Sequence, residues 1–131
     1  MSLSTIDGWA PRALSVLRIV AALLFLEHGL SKLVGFPVWP ASGGPAMFSL
    51  LWFAAVIEAL GGLLLALGLL TRPVAFLMSG EMAVGYFLAH APKSFFPLVN
   101  GGDAAVLYCF IFLYIFAAGG GAWSVDRARG G

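Results

Sequence analysis

Four long apolar stretches, separated by connections rich in glycine and proline, constrain this chain more than any other feature of its sequence. They cover about residues 13–34, 47–70, 73–91 and 104–121. A helix that crosses a bilayer needs about 20 mostly apolar residues, with a usable range of about 17–25. The fourth stretch reaches that length only by running through the glycines at 119–121. The sequence therefore predicts a single all-α domain over residues 1–131, a membrane-embedded antiparallel four-helix bundle.

Composition narrows the class of partner. The chain is 61% hydrophobic and 10% charged, whereas soluble domains are about half apolar and about a quarter charged. The net charge of +1 gives no electrostatic attraction to nucleic acid, so the expected partner is the lipid bilayer. Cys109 is the only cysteine, which excludes disulfides within the chain, iron–sulfur clusters and all-cysteine zinc sites.

Basic residues near the ends of the stretches predict the orientation in the membrane. One side carries four arginines, at positions 12, 72, 127 and 129, and the other side carries Lys32 and Lys93. Cytoplasmic loops of membrane proteins carry an excess of lysine and arginine. We therefore expect a multi-pass protein with both termini in the cytoplasm.

Ionisable and polar side chains interrupt the apolar stretches or lie at their ends. They include Arg18, Glu27, His28, Lys32, Glu58, Glu81, His90 and Asn100. An ionised side chain at the centre of a spanning helix costs about 2.5–3.5 kcal/mol of insertion free energy. Each of these groups must therefore lie near a helix end, be neutral, be paired inside the bundle, or face trapped water.

Depth along the helices divides these residues into two groups. Counted from the arginine-rich side at about 1.5 Å per residue, Arg18 falls level with Glu81, which predicts a structural ion pair. An anion or proton site at that level is the alternative. The same count places Glu27, His28 and Glu58 together in the other half of the bundle, below Lys32 and His90.

Helical phase predicts which of these side chains point inward. Arg18, Phe25, His28 and Lys32 recur at intervals of three or four residues, which places them on one face of the first helix. His28 is therefore expected to face the bundle. Glu27 is turned about half a circle away from Arg18, and its direction stays open.

A polar patch with two carboxylates and an imidazole can bind a proton, a quinone carbonyl or a metal ion, and close carboxylates can share a proton. The candidates for ligand binding or proton handling are Glu27, His28, Lys32, Glu58, His90 and Asn100. A hydrogen-bonded packing cluster is the alternative. A haem held by His28 and His90, or a metal held by Glu27, His28 and Glu58, has no further support in the sequence. No cofactor and no catalytic residue is assigned.

Motifs in four places carry a family resemblance. They are "RIVAALLFLEHGLSKLVGFP" from position 18, "VIEALGGLLLALGLLTRP" from position 56, "NGG" from position 100 and "GGGAWSVD" from position 119. Over about residues 12–127 the chain resembles the DoxX family of small four-helix bacterial membrane proteins. Arg18, His28, Lys32, Glu58 and Asn100 match the pattern of that family.

The resemblance implies a prokaryotic plasma (inner) membrane protein. The family and its relatives include subunits linked to thiosulfate–quinone and terminal oxidase chemistry. We therefore expect a small membrane subunit with a polar site for a quinone or another small lipophilic molecule, or for a proton. The chain has no nicotinamide or flavin motif, so the electron-carrying cofactor would belong to a redox enzyme or another membrane subunit. The alternatives are a non-enzymatic scaffold of a membrane complex and a proton-coupled carrier.

Overall fold

The computed structural model describes residues 1–130, which contain helices and connections but no strand. In chain order the helices are α1 (Leu3–Asp7), α2 (Ala10–Val34), α3 (Leu50–Leu67), α4 (Thr71–Gly85), α5 (Pro97–Asn100), α6 (Asp103–Ala118) and α7 (Val125–Ala128). A π-helical turn, Tyr86–His90, continues α4. The all-α fold class is confirmed, and the four long helices lie within or close to the four apolar stretches.

Local signals at the helix ends account for the differences from the expected bounds. The second stretch forms a helix only from Leu50, because the Ser49 hydroxyl accepts a hydrogen bond from the backbone N–H of Trp52 (3.2 Å) and caps the helix. It ends at Leu67 because Gly68 takes a left-handed conformation with φ +71°, which favours glycine. The fourth stretch leaves the helix at Gly119, where φ is +84°.

Close backbone contacts hold α2 against α3. A Cβ atom added at Gly29 would lie 2.5 Å from the backbone nitrogen of Ala59. One added at Gly62 would lie 2.8 Å from the backbone nitrogen of Leu26. Small residues at these two crossings let the helices approach as closely as membrane helices do. The second extensive helix pair is α4 with α6.

The core and the exterior are both apolar. The buried hydrophobic residues are Ala21, Ala22, Phe25, Leu65, Ala75, Met78, Phe112 and Ile115. Phe25 meets Phe112 edge to face, with ring centroids 5.0 Å apart. On the outside, Leu23, Leu60, Phe76 and Phe110 expose half or more of their surface. An apolar exterior of this extent is typical of a surface that contacts lipid.

Two helices are long and apolar enough to cross a membrane by length and composition, the 25-residue α2 and the 18-residue α3. The apolar helix α6 is shorter, at 16 residues. The 15 residues of α4 are extended by the five residues of the π-helical turn.

Candidate functional site

A buried ion pair joins α2 to α3. The Nζ atom of Lys32 lies 3.0 Å from both carboxylate oxygens of Glu58. Glu58 is only 4% exposed, whereas the Lys32 side chain keeps 28% of its surface accessible. Taking two charges out of water costs several kcal/mol per ion, and a geometry with two hydrogen bonds offsets part of that cost. Lys32 and Glu58 are the only residues among 1–130 that form a salt bridge.

Glu81 brings a second carboxyl group to this ion pair from α4. Both of its carboxyl oxygens are buried, and neither has a hydrogen-bond partner among residues 1–130. The Glu81 carboxyl group lies close enough to that of Glu58 for the two groups to share a proton, and it lies within electrostatic range of Lys32. We call Lys32, Glu58 and Glu81 the carboxylate centre. With two carboxyl groups and one ammonium group, it lacks one proton or one external hydrogen-bond donor.

The ends of α3 and α4 explain why these two glutamates meet. Glu58 lies nine residues before the end of α3 at Leu67, and Glu81 lies ten residues after the start of α4 at Thr71. At about 1.5 Å per residue, the two carboxyl groups lie about 14 Å and about 15 Å from the turn that joins the helices. Glu58 was expected to lie deeper than Glu81, because the second helix was expected to continue to Leu70 and the third to begin only at Pro73.

The expected ion pair between Arg18 and Glu81 is not formed. Arg18 is 1% exposed, and its Nη1 donates a hydrogen bond to the carbonyl oxygen of Gly120. Its Nη2 donates to the carbonyl oxygen of Trp123 at 2.7 Å. The glycine-rich segment after α6 turns back under the bundle and presents these carbonyl groups, so the guanidinium group is bound without a carboxylate contact.

Residues 119–126 form a C-terminal clasp that joins the first half of α2 to the turn between α3 and α4. The Asp126 carboxylate accepts hydrogen bonds from the backbone N–H groups of Leu70 (3.0 Å) and Thr71 (2.8 Å) and so caps the start of α4. The backbone N–H of Ala122 donates to the carbonyl oxygen of Pro11 at 3.0 Å.

The contacts of the clasp lower the pKa of the Asp126 carboxyl group. Burial alone would raise the pKa of this carboxyl group, but the hydrogen bonds from Thr71 and Leu70 and the charge of Arg129 lower it below its ordinary value. The sequence analysis did not place Asp126 in any site, although it ends the quoted motif "GGGAWSVD".

His28 and Glu27 do not join the carboxylate centre. Both side chains are exposed, and the His28 ring lies nearly perpendicular to the Tyr108 ring, with ring centroids 6.4 Å apart. The buried row of α2 passes through Gly29 instead of His28, because only a residue without a side chain fits against the backbone of α3 there. The expected cluster of Glu27, His28 and Glu58, and with it the metal site considered for those residues, is therefore not assembled.

His90 and Asn100 fasten the connection between α4 and α6. The Nδ1 atom of His90 lies 3.0 Å from the carbonyl oxygen of Asn100. The buried Asn100 amide donates to the Tyr86 hydroxyl (3.1 Å) and to the Ser94 carbonyl (3.0 Å). Its side-chain oxygen accepts from the backbone N–H of Gly102 at 2.8 Å. These hydrogen bonds hold His90 and Asn100 within the loop between α4 and α6, apart from the ion pair of Lys32 and Glu58.

A groove of about 640 Å³ opens beside Lys32, and we call it the outer groove. Its lining consists of Lys32, Leu33, Trp39, Gly43, Gly44, Pro45, Met47 and Trp52. The Trp39 ring packs directly against Gly35 and Gly44, where any side chain would collide with it. Because Lys32 lines this groove and also binds Glu58, it connects the outer groove with the carboxylate centre.

The chain matches one family model and one known bacterial protein. The family model described as DoxX matches residues 13–91. The chain is also 41% identical over 129 residues to an uncharacterized protein of Haemophilus influenzae, a match that covers 95% of this chain and 96% of that protein. No solved structure matches the chain.

Proposed function

Because this chain belongs to the DoxX family of membrane proteins, we propose that it is a small multi-pass subunit of a prokaryotic plasma membrane. It binds a proton and a small lipophilic, quinone-like molecule at the carboxylate centre. It serves a redox system whose electron-carrying cofactor is held by a partner. All four long helices cross the bilayer as an antiparallel bundle, with both termini in the cytoplasm.

Two observations support the four-span arrangement. Large apolar side chains point outward on α2, α3, α4 and α6 alike. With its π-helical turn, α4 reaches 20 residues, 15 plus five, which is about the length that a bilayer requires. Tags at the two termini, tested for protease access in sealed inside-out vesicles, should both be cleaved. Cleavage of only one tag would refute this topology.

The single observation that carries the ligand proposal is the pair of buried, unpartnered oxygens of Glu81. A quinol hydroxyl group would supply the missing donor to Glu81, and a quinone carbonyl would accept from the Lys32 ammonium group. The outer groove opens onto Lys32, the cation of the carboxylate centre, and Trp39 and Trp52 in its lining provide flat faces for a planar ring. A quinol releases protons when it is oxidised, and its electrons would pass to the cofactor of the partner. A carboxylate centre short of one proton can accept one of those protons, so it suits this ligand class.

A quinone titration tests the proposal. Purified protein in lipid nanodiscs is titrated with a short-chain quinol while tryptophan fluorescence and proton uptake are recorded. We expect saturable quenching that Glu81→Leu weakens about tenfold, as the loss of one hydrogen bond to a charged group would. Glu27→Gln is the matched control, because Glu27 is an exposed carboxylate of α2 and should leave binding unchanged. Equal binding by the Glu81 variant and wild type, or quenching no different from that by a naphthalene of similar size, would refute it.

A scaffold without a ligand is the second candidate, and the bidentate ion pair favours it. Lys32 occupies both oxygens of Glu58, which is sufficient to lock α2 to α3 without any further role. Replacing a buried ion pair by apolar residues of similar volume is often neutral or stabilising. If the scaffold reading is correct, a Lys32→Met/Glu58→Met double variant will remain folded and functional in the cell, and no quinone will bind to wild type.

A further inference from the structure

A second groove, of about 720 Å³, lies at the end of the bundle opposite the outer groove, and we call it the inner groove. It is bounded by the start of α2, the turn between α3 and α4, the end of α6 and the C-terminal clasp. Part of its lining is apolar: Ala10, Pro11, Leu14, Pro73, Tyr114 and Ala118. The lining also contains two arginines, Arg72 and Arg127.

Several hydrogen-bond donors in the inner groove are unused. Arg127 makes no side-chain hydrogen bond to residues 1–130. Arg72 uses Nη1 for the carbonyl oxygens of Phe116 and Ala117, at 3.3 and 2.8 Å, which leaves its Nε and Nη2 groups available. The buried hydroxyl of Thr71 faces the Asp126 carboxylate, so the unused donors of the groove are those of the two arginines.

The charge of the lining is complementary to an anion. Asp126 is its only acidic residue, and the N–H groups of Leu70 and Thr71 already occupy that carboxylate. The two guanidinium groups therefore leave the lining with a net positive charge. Guanidinium groups match the oxygen geometry of phosphate and bind it with paired hydrogen bonds.

We propose that the inner groove binds the phosphate headgroup of an anionic phospholipid. The phosphate lies between Arg72 and Arg127, and the glycerol and upper acyl chains follow the apolar wall toward Pro73 and Tyr114. A free phosphate ion would leave that apolar wall in water, whereas a lipid covers it. The inference rests on the four-span arrangement proposed above, because that arrangement puts this end of the helices at the level of the lipid headgroups.

Such a lipid would contact the start of α2, the turn before α4 and the clasp at once, and would therefore hold the clasp closed. Arg127 is the residue to change, because its side chain has no hydrogen-bond partner within residues 1–130. Arg129 provides the matched control, as an exposed arginine two positions along the chain that does not line the groove. Neither substitution removes a side-chain hydrogen bond from the fold.

The experiment measures lipid retained by purified wild type, Arg127→Gln and Arg129→Gln by native mass spectrometry, with phosphatidylglycerol and phosphatidylcholine as probes. We expect wild type to retain phosphatidylglycerol in preference to phosphatidylcholine. We expect Arg127→Gln to lose about five- to tenfold of that affinity, the effect of one charged hydrogen-bonding group at a partly exposed site. Arg129→Gln should bind as wild type does.

Two results would overturn the proposal. An equal loss in both arginine variants would show that only the overall charge of this surface attracts the lipid. Displacement of phosphatidylglycerol by inorganic phosphate at matched concentration would identify a soluble anion as the ligand. The vesicle protease test distinguishes a failure of this proposal from a failure of the four-span topology. If the two terminal tags are not both cleaved but Arg127→Gln still selectively loses phosphatidylglycerol, only the topology is refuted.

Discussion

Arg18→Met removes a buried guanidinium group whose donors bind the carbonyl oxygens of Gly120 and Trp123. A hydrogen bond to a charged group contributes about 1.5–3 kcal/mol, so the two bonds together contribute about 3–6 kcal/mol. The variant recovers part of this amount, because methionine carries no charge to bury. Gly120 also keeps a donor, the Ser15 hydroxyl at 3.0 Å. We expect a net loss of about 2–4 kcal/mol in the free energy of unfolding.

Equilibrium unfolding by SDS in mixed micelles, followed by circular dichroism, measures this loss. Ser15→Ala is a graded comparison, since it removes two neutral hydrogen bonds, one donated to the same carbonyl and one accepted from the backbone N–H of Trp123 at 2.9 Å. It should cost about 1–3 kcal/mol. A double-mutant cycle of Arg18→Met with Glu81→Gln tests the position of Arg18 directly. Because these side chains have separate partners, we expect their coupling energy to stay below about 0.5 kcal/mol. A coupling above about 1 kcal/mol would show that Arg18 pairs with Glu81 and that the clasp geometry is wrong.

Three further predictions use the same unfolding assay. Gly29→Ala should destabilise the protein by about 1–3 kcal/mol, because the added methyl group would clash with α3. Gly80→Ala is the control: nothing lies within 4 Å of the added Cβ, and the substitution should stabilise the protein by about 0.5–1 kcal/mol. Equal effects of the two substitutions would contradict the close contact between α2 and α3. Since folding lowers the pKa of Asp126 below its ordinary 3.8, its contribution is complete above that pH and is lost as pH falls through the lower folded value. Asp126→Asn should therefore flatten the acid limb of the stability curve, and an unchanged curve would refute the cap. Asn100→Ala should cost about 1–3 kcal/mol and speed amide exchange in residues 91–102, and unaltered exchange there would contradict its bracing role.

Hydropathy was sufficient to predict the all-α class, because apolar runs of spanning length have few folded alternatives. The family resemblance is confirmed, since the DoxX model matches residues 13–91. The bounds of the helices depended on local features that hydropathy does not register. Ser49 caps one helix, and Asp126 caps another from 55 residues away in the chain.

The partners of the polar residues were harder to predict than the helices. Arg18 binds backbone carbonyls, which every residue carries, so side-chain chemistry alone directed the prediction to Glu81. Helical phase predicted that His28 faces the bundle, and that prediction is wrong: its neighbour Gly29 is buried and His28 is exposed. The backbone of α3, which leaves no room for a side chain at Gly29, determines which one faces inward. The expected role of Glu58 and Lys32 as site residues remains a prediction.

The clasp also has a consequence for biosynthesis. The carbonyl oxygen of Gly120 lies 102 residues after Arg18 in the chain. At about 5–20 residues per second, the ribosome takes roughly 5–20 s to cover that distance. During this interval α2 presents a cation that no other helix satisfies. A nascent chain that stops short of the glycine-rich turn keeps that defect, so the arginine that stabilises the finished protein is a cost to an unfinished one.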